Sequence, residues 1–249
     1  MKKYPILILD DDDAILKALQ ETLRLEGYVC FGSTHVEEAL DFIKKNKQFS
    51  FFLLLVILLA LITIFATVIA PQDPYVSDLK NALQPPSSDH WFGTDKLGRD
   101  IFSRVIYASR SSLPATLILV VLIFAIGTLL GTLAGYFGGW IDAVIMRISD
   151  MMISFPGMVL AIAVAGIMGA SVKNAVIAVA VVSWPKYARL ARSLVMKIRH
   201  EDYIYAAIVT GSKTSYILRK YMLPNIIPTL IITAATDIGG MMLELAGLS

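Results

Sequence analysis

The sequence predicts an all-α polytopic membrane protein preceded by a short, incomplete α/β segment. Three observations carry that prediction. Hydrophobic residues fill 56% of 249 positions against 17% charged, with a mean hydropathy of +0.67, which is too apolar for an ordinary soluble domain. Uncharged or weakly charged apolar runs of helical length recur from residue 49 onward, and about 20 such residues suffice to cross a hydrocarbon core. Only the first 46 residues carry the short mixed pattern of strands and amphipathic helices.

That opening segment reads as a β-α-β-α unit. Residues 6–9 form a buried-strand pattern, 10–13 an acidic cluster, 14–26 an amphipathic helix closed by Gly27, 28–31 a second strand and 35–45 a second helix. Two strands this short enclose too little core to fold alone. Lys44, Lys45 and Lys47 then flank the first expected span, residues 49–71, which has no charge. Cations at a span's edge favour the cytoplasm, so the N-terminus is expected there. The run is too long and too far from Met1 for a signal peptide.

Residues 72–110 are rich in Pro, Asp and Ser and are expected to form an external loop. Within them Gly93 and Gly98 allow tight turns, and Asp95, Arg99 and Asp100 can brace the loop by charge-assisted hydrogen bonds. The second span covers 111–136, with Gly127, Gly131 and Gly135 on one face, where another helix can come close. The third, 141–169, is interrupted at Ser154, Phe155, Pro156 and Gly157, where proline kinks or unwinds the helix and frees carbonyls toward a pore. The fourth, 174–196, carries Trp184 and Pro185 and ends among Arg189, Arg192, Lys197 and Arg199, a cytoplasmic signature. The fifth covers 223–245 and leaves Ser249 on the far side.

Between the last two spans, residues 201–224 are polar and basic. Small residues Ala206 and Ala207, then Gly211, a second helical stretch with Arg219 and Lys220, and Leu223-Pro224 returning to apolar sequence describe a helix-turn-helix on the membrane surface. Such an insert is a docking handle for a soluble partner. In the fifth span, Asp237 is an acid among apolar residues, costly by about 2.5–3.5 kcal/mol on insertion scales and usually kept to face a pore or partner. Asp237, with Met241, is therefore a candidate for the translocation path and a transient contact for a divalent cation. The structural alternative places Asp237 near the outer helix end against water or an arginine, with Met241 and Met242 as packing.

Other chemistries find little support. His35, His90, His200 and the single Cys30 have no metal-ligand spacing, and one cysteine forms no internal disulfide. A net charge of +2 gives no argument for nucleic acid. No glycine-rich phosphate loop with its lysine occurs, so ATP hydrolysis falls to other chains, and no catalytic residue or cofactor is expected.

Residues 201–224 resemble the "EAA" loop of binding-protein-dependent ABC importer permeases: Ala206-Ala207, Gly211 and Leu223-Pro224 stand in register. Tyr205 stands where that family commonly has Glu, and Tyr221 where it has Ile. The string HWFGTDKLGRDIFSR, from His90 to Arg104, closely resembles one in C-type permease subunits of dipeptide, oligopeptide and nickel importers. The resemblance covers about residues 47–249 and implies the type I importer permease fold. It implies as partners a second permease subunit, two ATP-binding subunits gripping 201–224, an extracytoplasmic solute-binding protein and the lipid bilayer. ATP-driven closure would then reach the spans as rigid-body motion of the docking helix. Permeases of this type usually have a sixth helix, so the chain is expected to be truncated at its C-terminal end. The pattern Asp237-Ile238-Gly239 with Met241-Met242-Leu243 is similar to nickel-type subunits and, together with Trp184 and Tyr187-Ala188-Arg189, puts nickel or a nickel chelate ahead of dipeptides and oligopeptides.

Residues 1–46 look like the front of a response-regulator receiver domain, in which acids at the Asp10 and Asp11 positions hold magnesium. No phosphoacceptor follows, since the chain turns into the first membrane helix. A fusion remnant is expected, with a regulatory input domain as the alternative. A membrane-anchored signalling protein of receiver type is the competing function from another class. A secondary transporter lacks a visible inverted repeat.

Overall fold

The computed structural model describes residues 5–9, 13–25, 27–33 and 46–248. Strands β1 (Pro5–Leu9) and β2 (Val29–Ser33) pair in parallel, with Ile6 opposite Cys30 and Ile8 opposite Gly32. Parallel neighbours need a crossover, and α1 (Asp13–Leu25) supplies it. Leu16 and Leu23, two turns apart, are its buried face. Asp10, Asp11, Lys44, Lys45 and the helix expected over 35–45 lie outside the described residues.

The chain divides into two compact units, Asn46–Ala115 and Thr116–Ser249 together with Met1–Lys45. The first opens with α2 (Lys47–Ile64), an apolar helix none of whose residues is fully buried. A break at Phe65 and the short α3 (Ala66–Ile69) follow, then a folded connection up to the start of α4 (Ile101–Phe137). Helix α4 starts at Ile101, not at 111, so the last part of the expected loop is helical. The reason is a cap invisible to hydropathy: the Asp100 carboxylate accepts the Ser103 N–H at 2.7 Å and satisfies an orphan donor of the first turn.

In the second unit, the rest of α4 leads to α5 (Gly139–Ile153), α6 (Gly157–Met168), α7 (Val172–Ile198), α8 (Asp202–Val209), α9 (Thr214–Ile217) and α10 (Leu223–Ala246). Glycines 127, 131 and 135 bring α4 hard against α7. A Cβ on Gly135 would stand 2.8 Å from the Arg192 carbonyl oxygen, and one on Gly131 would run into that of Ala188. Helix α7 is correspondingly the interior one, burying Ala175, Val179, Trp184, Tyr187, Ala188 and Val195. Helix α1 lies against α10.

Among the described residues, three helical runs are long and apolar enough to cross a membrane: Lys47–Ile64, Ile101–Phe137 and Thr214–Ala246. A fourth is reached if Gly139–Ile153 and Gly157–Met168, bent by 92° at the expected break, form one span. Neither half reaches across alone, at about 22 and 18 Å against a core of about 30 Å. The expected count of five is therefore not what length and composition give. The difference is α7, whose 27 residues suffice but which carries Lys173, Lys186, Arg189, Arg192 and Lys197 along an otherwise apolar helix. Three of those cations are matched by acids on neighbouring helices, which is how a helix so placed tolerates them.

Candidate functional site

The segment between α7 and α10 folds as two short helices about a glycine. Helix α8 ends in a Schellman motif: Gly211 N–H donates to the Ile208 carbonyl and Ser212 N–H to that of Ala207, both at 3.0 Å, with Gly211 at φ +79°. No atom lies within 4 Å of where a Gly211 Cβ would stand, so the positive φ, not crowding within this chain, demands glycine. Ala207 is buried and Ala206 exposed. A larger residue at Ala207 would therefore first meet this chain's own interior. Tyr205 is half exposed, with its hydroxyl 3.0 Å from His200 Nδ1.

Beyond the turn, helix α9 does not stop before Leu223-Pro224. It widens into a π-helical turn, Leu218–Met222, and continues directly as α10. The expected separate second helix is thus fused to the last span. Pro224 has no N–H and its ring crowds the carbonyl of residue i−4, and a wider turn just before it relieves that clash without ending the helix. Leu223 is half-buried and Pro224 exposed. Tyr221 packs edge-on to Tyr216 at 5.8 Å and lies 6.1 Å from Tyr203. Tyr203, Tyr205 and Tyr216 remain partly exposed, giving the segment an aromatic outer surface. Burial, reinforced by the Glu201 charge, pushes the Tyr203 hydroxyl above its ordinary pKa, so it stays a neutral donor.

Asp237 is placed by α10 against α7, where Lys186 Nζ donates to both carboxylate oxygens at 2.7 and 2.6 Å and Tyr187 Oη donates at 3.0 Å. The neighbour is a lysine and a tyrosine, not the arginine weighed from sequence. Met241 is buried and takes a packing position. The sequence reading missed Lys186, and took Tyr187 only as part of a family pattern, not as a partner of Asp237. Their signal was a lone lysine in one apolar run and a lone aspartate in another, complementary charges about 50 positions apart. It also missed two further ties to α5: Arg192 grips Asp142 through two nitrogens at 2.5 Å each, and Arg189 NH2 meets Asp150 at 2.7 Å.

In the other unit, Asp95 is the centre of the connection between α3 and α4. It receives Arg99 Nε and Arg104 NH1, each at 2.8 Å, on one oxygen, and the Leu97 and Arg99 backbone N–H groups on the other. Those bonds, led by the Arg99 side chain, hold its pKa down to about 2. Burial works against the Asp100 carboxylate, yet bonds from Ser103 and His90, whose Nδ1 is 3.1 Å away, leave it below its ordinary value. Gly93 and Gly98 take φ of +75° and +72°, and Gly98 packs on the Asp78 backbone, where no Cβ fits.

The family described as "Binding-protein-dependent transport system inner membrane component" matches residues 127–249, and "N-terminal TM domain of oligopeptide transport permease C" matches 37–86. The chain is similar to the Dipeptide transport system permease protein DppC of Alkalihalophilus pseudofirmus, 42% identical over 211 residues, covering 85% of this chain and 69% of that one. It is 38% identical to the Nickel transport system permease protein NikC of Escherichia coli K12, over 79% of this chain and 71% of that one. A Glutathione transport system permease protein GsiD of Escherichia coli is 43% identical, over 79% and 65%. With an apolar helical framework and both family regions present, the chain belongs to the multi-pass inner-membrane permease components of binding-protein-dependent ABC importers, and is a transport subunit, not an enzyme.

Proposed function

We propose that this chain lines one half of an import path for a short peptide, with its N-terminus in the cytoplasm and residues 201–224 as the surface that ATP-hydrolysing subunits grip. Importers of this family work with a second permease, separate ATPase subunits and a solute-binding protein. The observation that carries the substrate reading is the Lys186–Asp237 pair with Tyr187. A carboxylate already neutralised by an ammonium, and bonded by a hydroxyl, has little left to offer a divalent cation. An ammonium-carboxylate pair instead matches the two charged ends of a zwitterionic peptide, and the Lys186 side chain, 55% exposed, is free to exchange partners. The nickel reading rests on the 236–243 pattern and the 38% identity to a nickel permease. It comes second because Asp237 is paired and Met241 buried. Similarity to permeases over most of the chain displaces the signalling alternative.

Uptake of a labelled dipeptide and of nickel, compared in cells carrying the whole importer, tests the reading. Lys186→Gln and Asp237→Asn should each lower peptide uptake roughly tenfold at unchanged membrane levels, the size of one charge-assisted bond. Nickel uptake that depends on the importer, with no peptide uptake, would reverse the order of the two substrates.

A further inference from the structure

The first turns of α4 and the chain just after α3 border a half-open cleft of about 390 Å³ that no transport role has absorbed. Tyr75, Arg99, Arg104, Tyr107, Arg110 and Ser111 line it. Residues 104, 107 and 111 are spaced along a single helix face. Arg99 and Arg104 share the one carboxylate of Asp95, and the Arg110 guanidinium lies 6.0 Å over the Tyr107 ring. Three guanidiniums thus stand against one acid, with many N–H donors unspent, and the excess positive charge calls for an anion.

Depth in the bilayer decides which anion. The apolar part of α4, residues 113–137, is about 37 Å long, enough for the hydrocarbon core with a modest tilt. Ser111, Arg110 and Tyr107 then fall within about 3–9 Å of the hydrocarbon edge, inside the head-group layer. Tyr75 and Tyr107, rings edge-on at 5.6 Å, are side chains with the amphipathic character suited to that layer. We propose that this pocket is a binding site for the phosphate of an anionic phospholipid head group, which anchors the N-terminal end of α4 at the membrane surface.

The test uses the full chain, co-purified with its partner subunits in a neutral detergent and titrated with phosphatidylglycerol or phosphatidylcholine under native mass spectrometry. Arg110 has no ion pair among the described residues, so Arg110→Gln should keep the fold, checked by melting. Wild type should retain phosphatidylglycerol over phosphatidylcholine, Arg110→Gln should hold it about fivefold more weakly, and Arg110→Lys should recover part of the loss. Equal retention by Arg110→Gln, or no preference between the two lipids, overturns the proposal. Displacement of the lipid by millimolar inorganic phosphate overturns the lipid assignment in favour of a free-anion site. Loss of binding-protein capture in Arg110→Gln with lipid retention unchanged would assign the pocket to a partner protein's carboxylate instead.

Discussion

Substitutions at Gly211 separate backbone strain from steric contact. With φ at +79° and open space around the absent Cβ, the cost of Gly211→Ala is the left-handed conformation itself, about 1–2 kcal/mol. That shifts the population of the folded turn by a factor of roughly 5–30. Asparagine visits this region more readily, so Gly211→Asn should cost less, below about 1 kcal/mol. Gly211→Pro cannot reach a positive φ and also loses the N–H bonded to Ile208, for about 3 kcal/mol or more. The assay is the amount of ATPase subunit that co-purifies, with uptake, at equal membrane levels of permease. Asparagine should be mildest, alanine intermediate and proline null, with all three inserted normally because insertion follows apolarity. Three equally dead variants would mean that a partner's backbone, not φ, limits the position. Three fully active ones would remove 201–224 as the coupling element.

Gly131→Leu drives a side chain into the Ala188 carbonyl, which is backbone and cannot swing aside, and should cost about 1–3 kcal/mol in a detergent melt. Gly166→Ala, with nothing within 4 Å, is the control, and an equal loss there would refute the close-packing account. Asp95, ordinarily at 3.8 and held to about 2, lends the connection between α3 and α4 stability that is complete above pH 3.8 and is lost as pH falls through about 2. Emission of Trp91, which packs on Phe102 at 4.8 Å, read in a chain whose other two tryptophans are replaced by phenylalanine, should shift as pH falls from about 4 toward 2, and Asp95→Asn should reduce that shift. Deleting residues 1–44 while keeping Lys45 and Lys47 should leave insertion and transport unchanged. Transport lost at normal membrane levels would assign a working role to the contact of α1 with α10.

Features written locally were the legible ones. Pro156 announced the break that became a 92° bend, the four-residue glycine spacing announced the α4–α7 contact, and Gly211 announced a positive φ. The β-α-β pattern likewise needed only neighbouring residues. Helix α4's early start was hidden because Ser103, Arg104, Ser109 and Arg110 interrupt the apolar pattern of 101–110, which looks like the end of a loop until Asp100 caps it. The π turn was hidden because leucine-proline normally signals a boundary, and only continuous packing on both sides overrides it. Least legible were the pairs Lys186–Asp237, Arg192–Asp142 and Arg189–Asp150. Each joins residues about 40 to 50 positions apart, so each cation looked like a span end or an unpaired cost.

The continuity of Thr214–Ala246 makes the turn at Gly211 and the Asp237 carboxylate two points on one lever. Asp237 lies about 35 Å along it from Thr214, so a tilt of about 5° pivoted at the turn would carry the carboxylate about 3 Å sideways. That displacement equals the whole length of its bonds to Lys186 and Tyr187, which run from 2.6 to 3.0 Å. A tilt of that size against α7 would stretch the bond from the Tyr187 hydroxyl, while the longer, half-exposed Lys186 side chain could follow the carboxylate.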